Sequence, residues 1–170
     1  MNKIKYAAVL LLIIAALLAG ISSAAAKEGD KQGGAALSGL KGVGVVVEDL
    51  APDAVQEGFN AQLIQADVEQ KLRDGGVRIL TEQELMKAPG MPYLCFKIFT
   101  FKDDELYAYH ITLELKQMVS LVRKPRISLS STTWKASAGG TVGVKKISEL
   151  RAFVKEKADQ FVSAWKAANP

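Results

Sequence analysis

The chain has 170 residues, with 22 Lys and Arg against 18 Asp and Glu, a formal charge of +4, and a single cysteine and a single histidine. One cysteine permits no internal disulfide, and one cysteine with one histidine cannot supply the four ligands of a structural zinc site. The slight positive excess, part of it from Lys3 and Lys5, is not the concentrated basic face that nucleic-acid binding requires.

The first element in chain order is a targeting segment. Lys3 and Lys5 give a basic start, Ala7 to Ile21 is an almost unbroken apolar run, and Ala24-Ala25-Ala26 offers a small-x-small cleavage site before Lys27. That is the three-part pattern of a secretory signal peptide over 1–26. The apolar run is about 15 residues, short of the ~20 that cross a bilayer core. No cysteine stands near the cleavage region to carry a lipoprotein anchor. The exported chain is therefore expected to have no transmembrane segment and to be periplasmic or secreted. Residues 27–38 are, Leu37 apart, Gly, Ala and polar residues without periodicity and read as a flexible leader. The remainder, 39–168, is long enough for one domain with its own core.

Gly42 to Val47 (GVGVVV) predicts a buried strand, broken by Pro52-Asp53. A helix follows whose apolar stripe is Phe59, Leu63, Ile64, Val68 and Leu72, with Gly75-Gly76 as its stop. Val77, Ile79 and Leu80 predict a short strand. Thr81 and Glu84 have capping-box spacing, so a brief helix to about Lys87 is expected, ended by Pro89-Gly90. Tyr93–Phe101 and Tyr107–Leu121 are two long strands around the polar turn Lys102–Glu105.

The second strand alternates Tyr109, Ile111, Leu113 and Leu115 against His110, Thr112, Glu114 and Lys116, the mark of a half-buried antiparallel strand. An even-length turn centred on Asp103-Asp104 pairs Ile98 with Tyr109, Phe96 with Ile111 and Leu94 with Leu113, all apolar and on one face. It sets Cys95 against Thr112 and Lys97 against His110 on the other. An odd turn would flip the row. The next turn is Arg123–Arg126, and the next strand Ile127 to Ala136. Trp134 falls opposite Leu115 on the core face, but Ile127 and Leu129 then point the other way. Reconciling them takes a bulge, whose place the pattern leaves open. Gly139-Gly140 is expected to end the strand. A last helix runs from about Ile147 to Ala167, with Leu150, Phe153, Val154, Ala158, Phe161, Val162 and Trp165 on its apolar stripe.

This order predicts an α+β fold: a two-layer α/β sandwich in which an antiparallel meander sheet carries two long amphipathic helices on one face. Parallel pairing of Val43–Val47 with Val77–Leu80 across the first helix would make a right-handed crossover.

Candidate sites are sparse. Arg123, Lys124 and Arg126 are the densest basic cluster and the candidate binding residues, suited to a phosphate, an anionic lipid headgroup or an acidic partner surface. A solvated loop end looks the same in sequence. His110 could act with Lys97 and Glu114, but a catalytic histidine needs a placed nucleophile or carboxylate. A surface histidine on a strand fits equally. Asp103-Asp104-Glu105, with Asp49 or Asp53, lacks calcium-loop spacing. Gly42-Val43-Gly44 leads into no nucleotide-binding pattern, and no cofactor is implied. Cys95 reads as a small hydrophobe within a strand. The second sheet face, with Tyr93, Cys95, Lys97, Phe99, His110 and Met118, and with Ile127 and Leu129 if no bulge intervenes, is too apolar for a face fully in water. Such a face marks a partner or self-association surface, or one covered by the leader or loops.

The string GVGVVVEDLAPDAVQEGFNAQLIQADVEQKLRDGGVRIL resembles the opening strand–helix–strand unit of the TolB amino-terminal domain and related exported envelope modules. YAYHITLELKQMVSLVRKPR and TTW resemble segments of other small exported bacterial proteins. The resemblance implies an envelope-associated interaction module and transfers no functional residue. The expectation is a non-enzymatic, exported domain that binds an envelope protein or itself. The alternative is a small-ligand carrier or enzyme with a site near His110.

Overall fold

The computed structural model describes residues 34–170 and builds them around one four-stranded mixed sheet in the order β1-β2-β3-β4. The expected signal segment 1–26 and residues 27–33 of the expected leader lie outside the described residues. The strands are β1 (Gly44–Val47), β2 (Tyr93–Lys102), β3 (Leu106–Leu121) and β4 (Lys124–Gly143). The helices are α1 (Pro52–Gln56), α2 (Ala61–Asp74), α3 (Glu82–Lys87) and α4 (Leu150–Ala168), the last entered through a 3-10 turn, Val144–Glu149.

The expected two-layer α+β architecture is present. Ile64, Val68 and Leu72 of α2 share one buried cluster with Val154, Ala158 and Phe161 of α4 and with Leu94, Phe96, Ile111, Leu113 and Leu115 of the sheet. Two aromatic pairs seat α4: Phe161 meets Trp134 edge-on at 5.2 Å and Phe153 meets Tyr109 at 5.4 Å. Each such pair adds ~0.5–1.5 kcal/mol beyond area burial. Asp67 of α2 holds Arg151 at 2.6 Å and Lys155 at 3.3 Å, and Lys71 holds Asp159 at 2.9 Å, so the helices are also tied to each other.

Several local expectations shift. Phe59 precedes the first long helix, because the Asn60 side chain caps it by accepting from the Leu63 N–H. Phe59 is still buried, whereas Leu63 is half exposed. The i, i+4, i+8 row Ile64, Val68, Leu72 takes the core, and Leu63 stands one position round the helix from it. Gly75 lets α2 end against α4: a Cβ there would lie 2.5 Å from Val162 Cγ1. Val77–Leu80 is not a strand. It makes a single parallel bridge, Val43 to Ile79, because Thr81 already caps α3. The parallel partner of β1 is β2. The capping box at Thr81 and Glu84 forms as expected, and the Thr81 N–H, the larger of its causes, holds the Glu84 carboxyl below its ordinary pKa.

The β2–β3 register is offset by two from the expected one. Leu94 faces Leu115, Phe96 faces Leu113 and Ile98 faces Ile111. The turn is even, as expected, but its two residues are Asp104-Glu105, closed by the Asp103 N–H donating to Leu106 O at 2.9 Å. The Asp103 carboxylate takes the Asp104 N–H at 2.9 Å, which fixes the turn there.

β4 begins earlier and ends later than expected. The β3–β4 turn is Val122-Arg123, so Lys124 and Arg126 belong to the strand. Gly139-Gly140 lies inside it, where the absence of a side chain makes room for a ring: a Cβ on Gly140 would meet Tyr109 Oη at 3.1 Å. The required bulge is at Thr133. Leu115 faces Trp134 while Lys116 faces Thr132. Thr133 Oγ1 accepts from Gln117 Nε2 at 2.8 Å and donates to Leu115 O at 3.4 Å. The extra residue returns Leu129 to the core side, opposite Val119, rather than to the outer face.

Leader residues 34–38 pack on the domain. Leu37 is fully buried, and the Asn169 side chain donates to Leu37 O and accepts from the Gly39 N–H. Among the described residues no helix is long and apolar enough to cross a membrane.

Candidate functional site

Both long helices lie on one side of the sheet; on the other side Leu85 of α3 covers the corner at Gly44 and Tyr93, and the rest is open. That open face has two parts with different chemistry.

One part is ionic. Lys97 of β2 lies 3.8 Å from Glu48 and 3.3 Å from Glu114, and Lys116 lies 3.7 Å from Glu114. The hydrogen bond to Glu114, then the charges of Glu114 and Glu48, raise the Lys97 pKa. Cys95 sits beneath this roof at 3% exposure, its Sγ donating to Glu48 Oε1 at 3.4 Å. Burial first, then Glu48, push the thiol up to about 11. The thiolate is the nucleophile, so this cysteine is chemically quiet at neutral pH.

The other part is apolar. Phe99 and Phe101, two residues apart on β2, point outward at 68% and 64% exposure, and Leu106 joins them across the β2–β3 turn. Phe99 faces His110 and Phe101 faces Ala108. Beyond them β4 offers only Gly139 and Thr141 opposite His110 and Ala108, so the two rings stand above a low floor.

The residues singled out in the sequence are not brought together. Lys97 and Glu114 meet, but His110 is four residues from Glu114 along β3, about 13 Å at ~3.3 Å per residue. His110 instead faces Phe99 and Gly139 and is exposed. Arg123, Lys124 and Arg126 are all exposed at the far end of the β3–β4 hairpin. That end is about 50 Å along β3 from Leu106. None of the ion pairs among the described residues uses these three cations. Among the described residues, no group of three or more His, Cys, Asp or Glu side chains is placed to hold a metal ion. Asp103-Asp104-Glu105 serves the turn.

Sequence reasoning missed an open groove of about 930 Å³ between β4 and α4, lined by Trp134, Ala136, Ala164 and Ala168 with Glu156 and Asp159. Lys157 and Lys71, each at 2.9 Å, already balance those two carboxylates. The only sequence trace of the groove is the alanine density near the end of α4. Its use as a wall depends on how α4 lies on the sheet, which no local pattern encodes.

No protein-family model, curated protein or solved structure matches this chain.

Proposed function

We propose that the chain is an exported, non-enzymatic interaction module of the bacterial envelope, and that the apolar part of its open sheet face is the contact surface for a partner protein. The observation that carries this is the outward exposure of Phe99 and Phe101 beside Leu106 on the sheet face opposite the two long helices. Two exposed phenylalanines on one strand face leave an apolar patch in water that a partner's apolar surface would bury at ~1.5–3 kcal/mol for each ring. Lys97 and Glu114 pair with each other while His110 faces Phe99 and Gly139, which weakens the support for the alternative reading, a polar site around His110. The signal pattern of residues 1–26 supports the envelope address, as does the resemblance to envelope modules.

The test is a photoreactive residue placed at position 99 in cells, compared with one at Ser163 on α4. A discrete adduct from position 99 that disappears on adding Phe101→Asp is expected. An adduct of twice the chain mass would make the partner a second copy. Equal labelling from both positions, or none from 99, would remove the proposal.

A further inference from the structure

We propose that the free end of the β3–β4 hairpin is a docking tip for an anionic phospholipid surface. This goes beyond the partner-binding reading, uses different residues, and stands or falls separately from it.

The first observation is the charge distribution along the chain. Between Glu114 and Glu149 there is no Asp or Glu, while Lys116, Arg123, Lys124, Arg126, Lys135, Lys145 and Lys146 are all cationic. Three of these seven fall within four residues at the hairpin turn. Lys116 and Lys146 have carboxylate partners, at Glu114 and Glu149. None of the ion pairs among the described residues occupies Arg123, Lys124 or Arg126, so their charge is available to an external anion.

The second observation is the apolar apex. Val122, the first residue of the turn, is 98% exposed, directly beside Arg123. Ile127 and Leu129 follow on β4 as further exposed hydrophobics. No residue from 119 to 130 is buried. The last cover on the ribbon is the Gly90 loop, whose carbonyl takes the Met118 N–H at 2.7 Å, and beyond it the two strands run on without a helix above them.

A tip for a free phosphate would need cations and backbone donors arranged as a cradle, and would gain nothing from a bare valine at its apex. A lipid surface uses both features at once. The cations sit at the headgroup level, each worth ~1 kcal/mol near an anionic leaflet. The short aliphatic side chain enters the boundary just below it. The length of the ribbon matters as well, because it lets the tip touch a flat surface while the helical layer stays clear.

The test uses the chain from Lys27 onward, the form expected after export, since the run Ala7–Ile21 would bind lipid by itself. Vesicles of equal parts phosphatidylglycerol and phosphatidylcholine are compared with pure phosphatidylcholine by co-sedimentation. Binding to the anionic vesicles alone, weakening as salt rises, is expected. Replacing Arg123, Lys124 and Arg126 together by Ala lowers the affinity about a hundredfold at low salt, and Val122→Asp lowers it about tenfold. Lys145→Ala with Lys146→Ala, basic residues at the other end of β4, leaves it within about twofold. Because Cys95 is buried, a Val122→Cys chain takes an environment-sensitive fluorophore at the tip alone, and its emission rises on anionic vesicles. The proposal is overturned if the triple variant binds as the parent does, if Val122→Asp has no effect, if the fluorophore stays in water, or if soluble glycerol phosphate competes the chain off. The last result would mean a free-phosphate site.

Discussion

The two halves of the β3–β4 ribbon are made of the same strands with the same alternation, yet only one half is core. From Tyr107 to Leu115, every second residue is buried, and Trp134 and Val142 face the same layer. From Gln117 to Leu121 the alternating row continues as Gln117, Val119 and Leu121, opposite Ser131, Leu129 and Lys124, and none of these is buried. The border is the Thr133 bulge. The difference teaches that alternation reports which way side chains point, while burial is decided by whether another element lies above them. α4 covers the first half through Phe153 and Phe161, and no helix reaches the second.

The strongest way to break this comparison is a matched pair of truncations. Phe161→Ala, which leaves Trp134 without its edge-on partner, is expected to cost ~3–5 kcal/mol in urea unfolding. Leu129→Ala on the bare half is expected to cost less than about 1 kcal/mol. Equal losses would show that the far half is packed after all. A smaller effect sharpens the border. Thr133→Val removes the hydroxyl that joins Gln117 to Leu115 O, and is expected to destabilise by ~1 kcal/mol while raising amide exchange selectively beyond Lys116. Uniform exchange along β4 would mean the bulge does not separate the halves.

A last effect appears only at alkaline pH. The Cys95 thiol is raised from an ordinary 9.0 to about 11 in the folded chain. The folded state therefore holds its proton after the unfolded state has lost it. That contribution to stability is complete below pH 9 and is lost as pH rises towards 11. Cys95→Val should flatten the fall in stability across that window relative to the parent, followed by urea titration at several pH values. An unchanged slope would place the thiol in a wetter setting than its 3% exposure indicates.

Much of the fold was legible before the structure, and the failures have physical causes. Tyr109, Ile111, Leu113 and Leu115 announced the buried face because a one-residue slip would put them all in water. The same period of two leaves a slip of two residues invisible, and only the Asp103 side chain, holding the Asp104 N–H, settles the turn on Asp104-Glu105. Gly139-Gly140 read as a strand end because glycine usually punctuates. Here it clears space for the Tyr109 ring, a reason that exists only once the strands are paired. Pro52 looked like a break and instead opens a short helix at its first turn, where its missing N–H costs nothing. Of the candidate surface, Phe99 was legible as outward-facing. Phe101 was missed as part of the patch because it sat at the assumed strand end. The basic residues were legible as a cluster, but their companion Val122 drew no notice, since a single valine means little until its surroundings are seen to be empty.

The clasp between the end of α4 and the segment Leu37–Leu40 has a bearing on biogenesis. Asn169 holds Leu37 and Gly39, and Trp165 Nε1 donates to Leu40 O at 2.9 Å. Residues that knot the two extremities of the described fold are therefore synthesised after all four strands, together with the roof over Leu113 and Trp134. A nascent polypeptide stalled before α4 is an unroofed ribbon with no stable reason to collapse. Closure of the fold therefore waits for α4, which follows every strand in the chain.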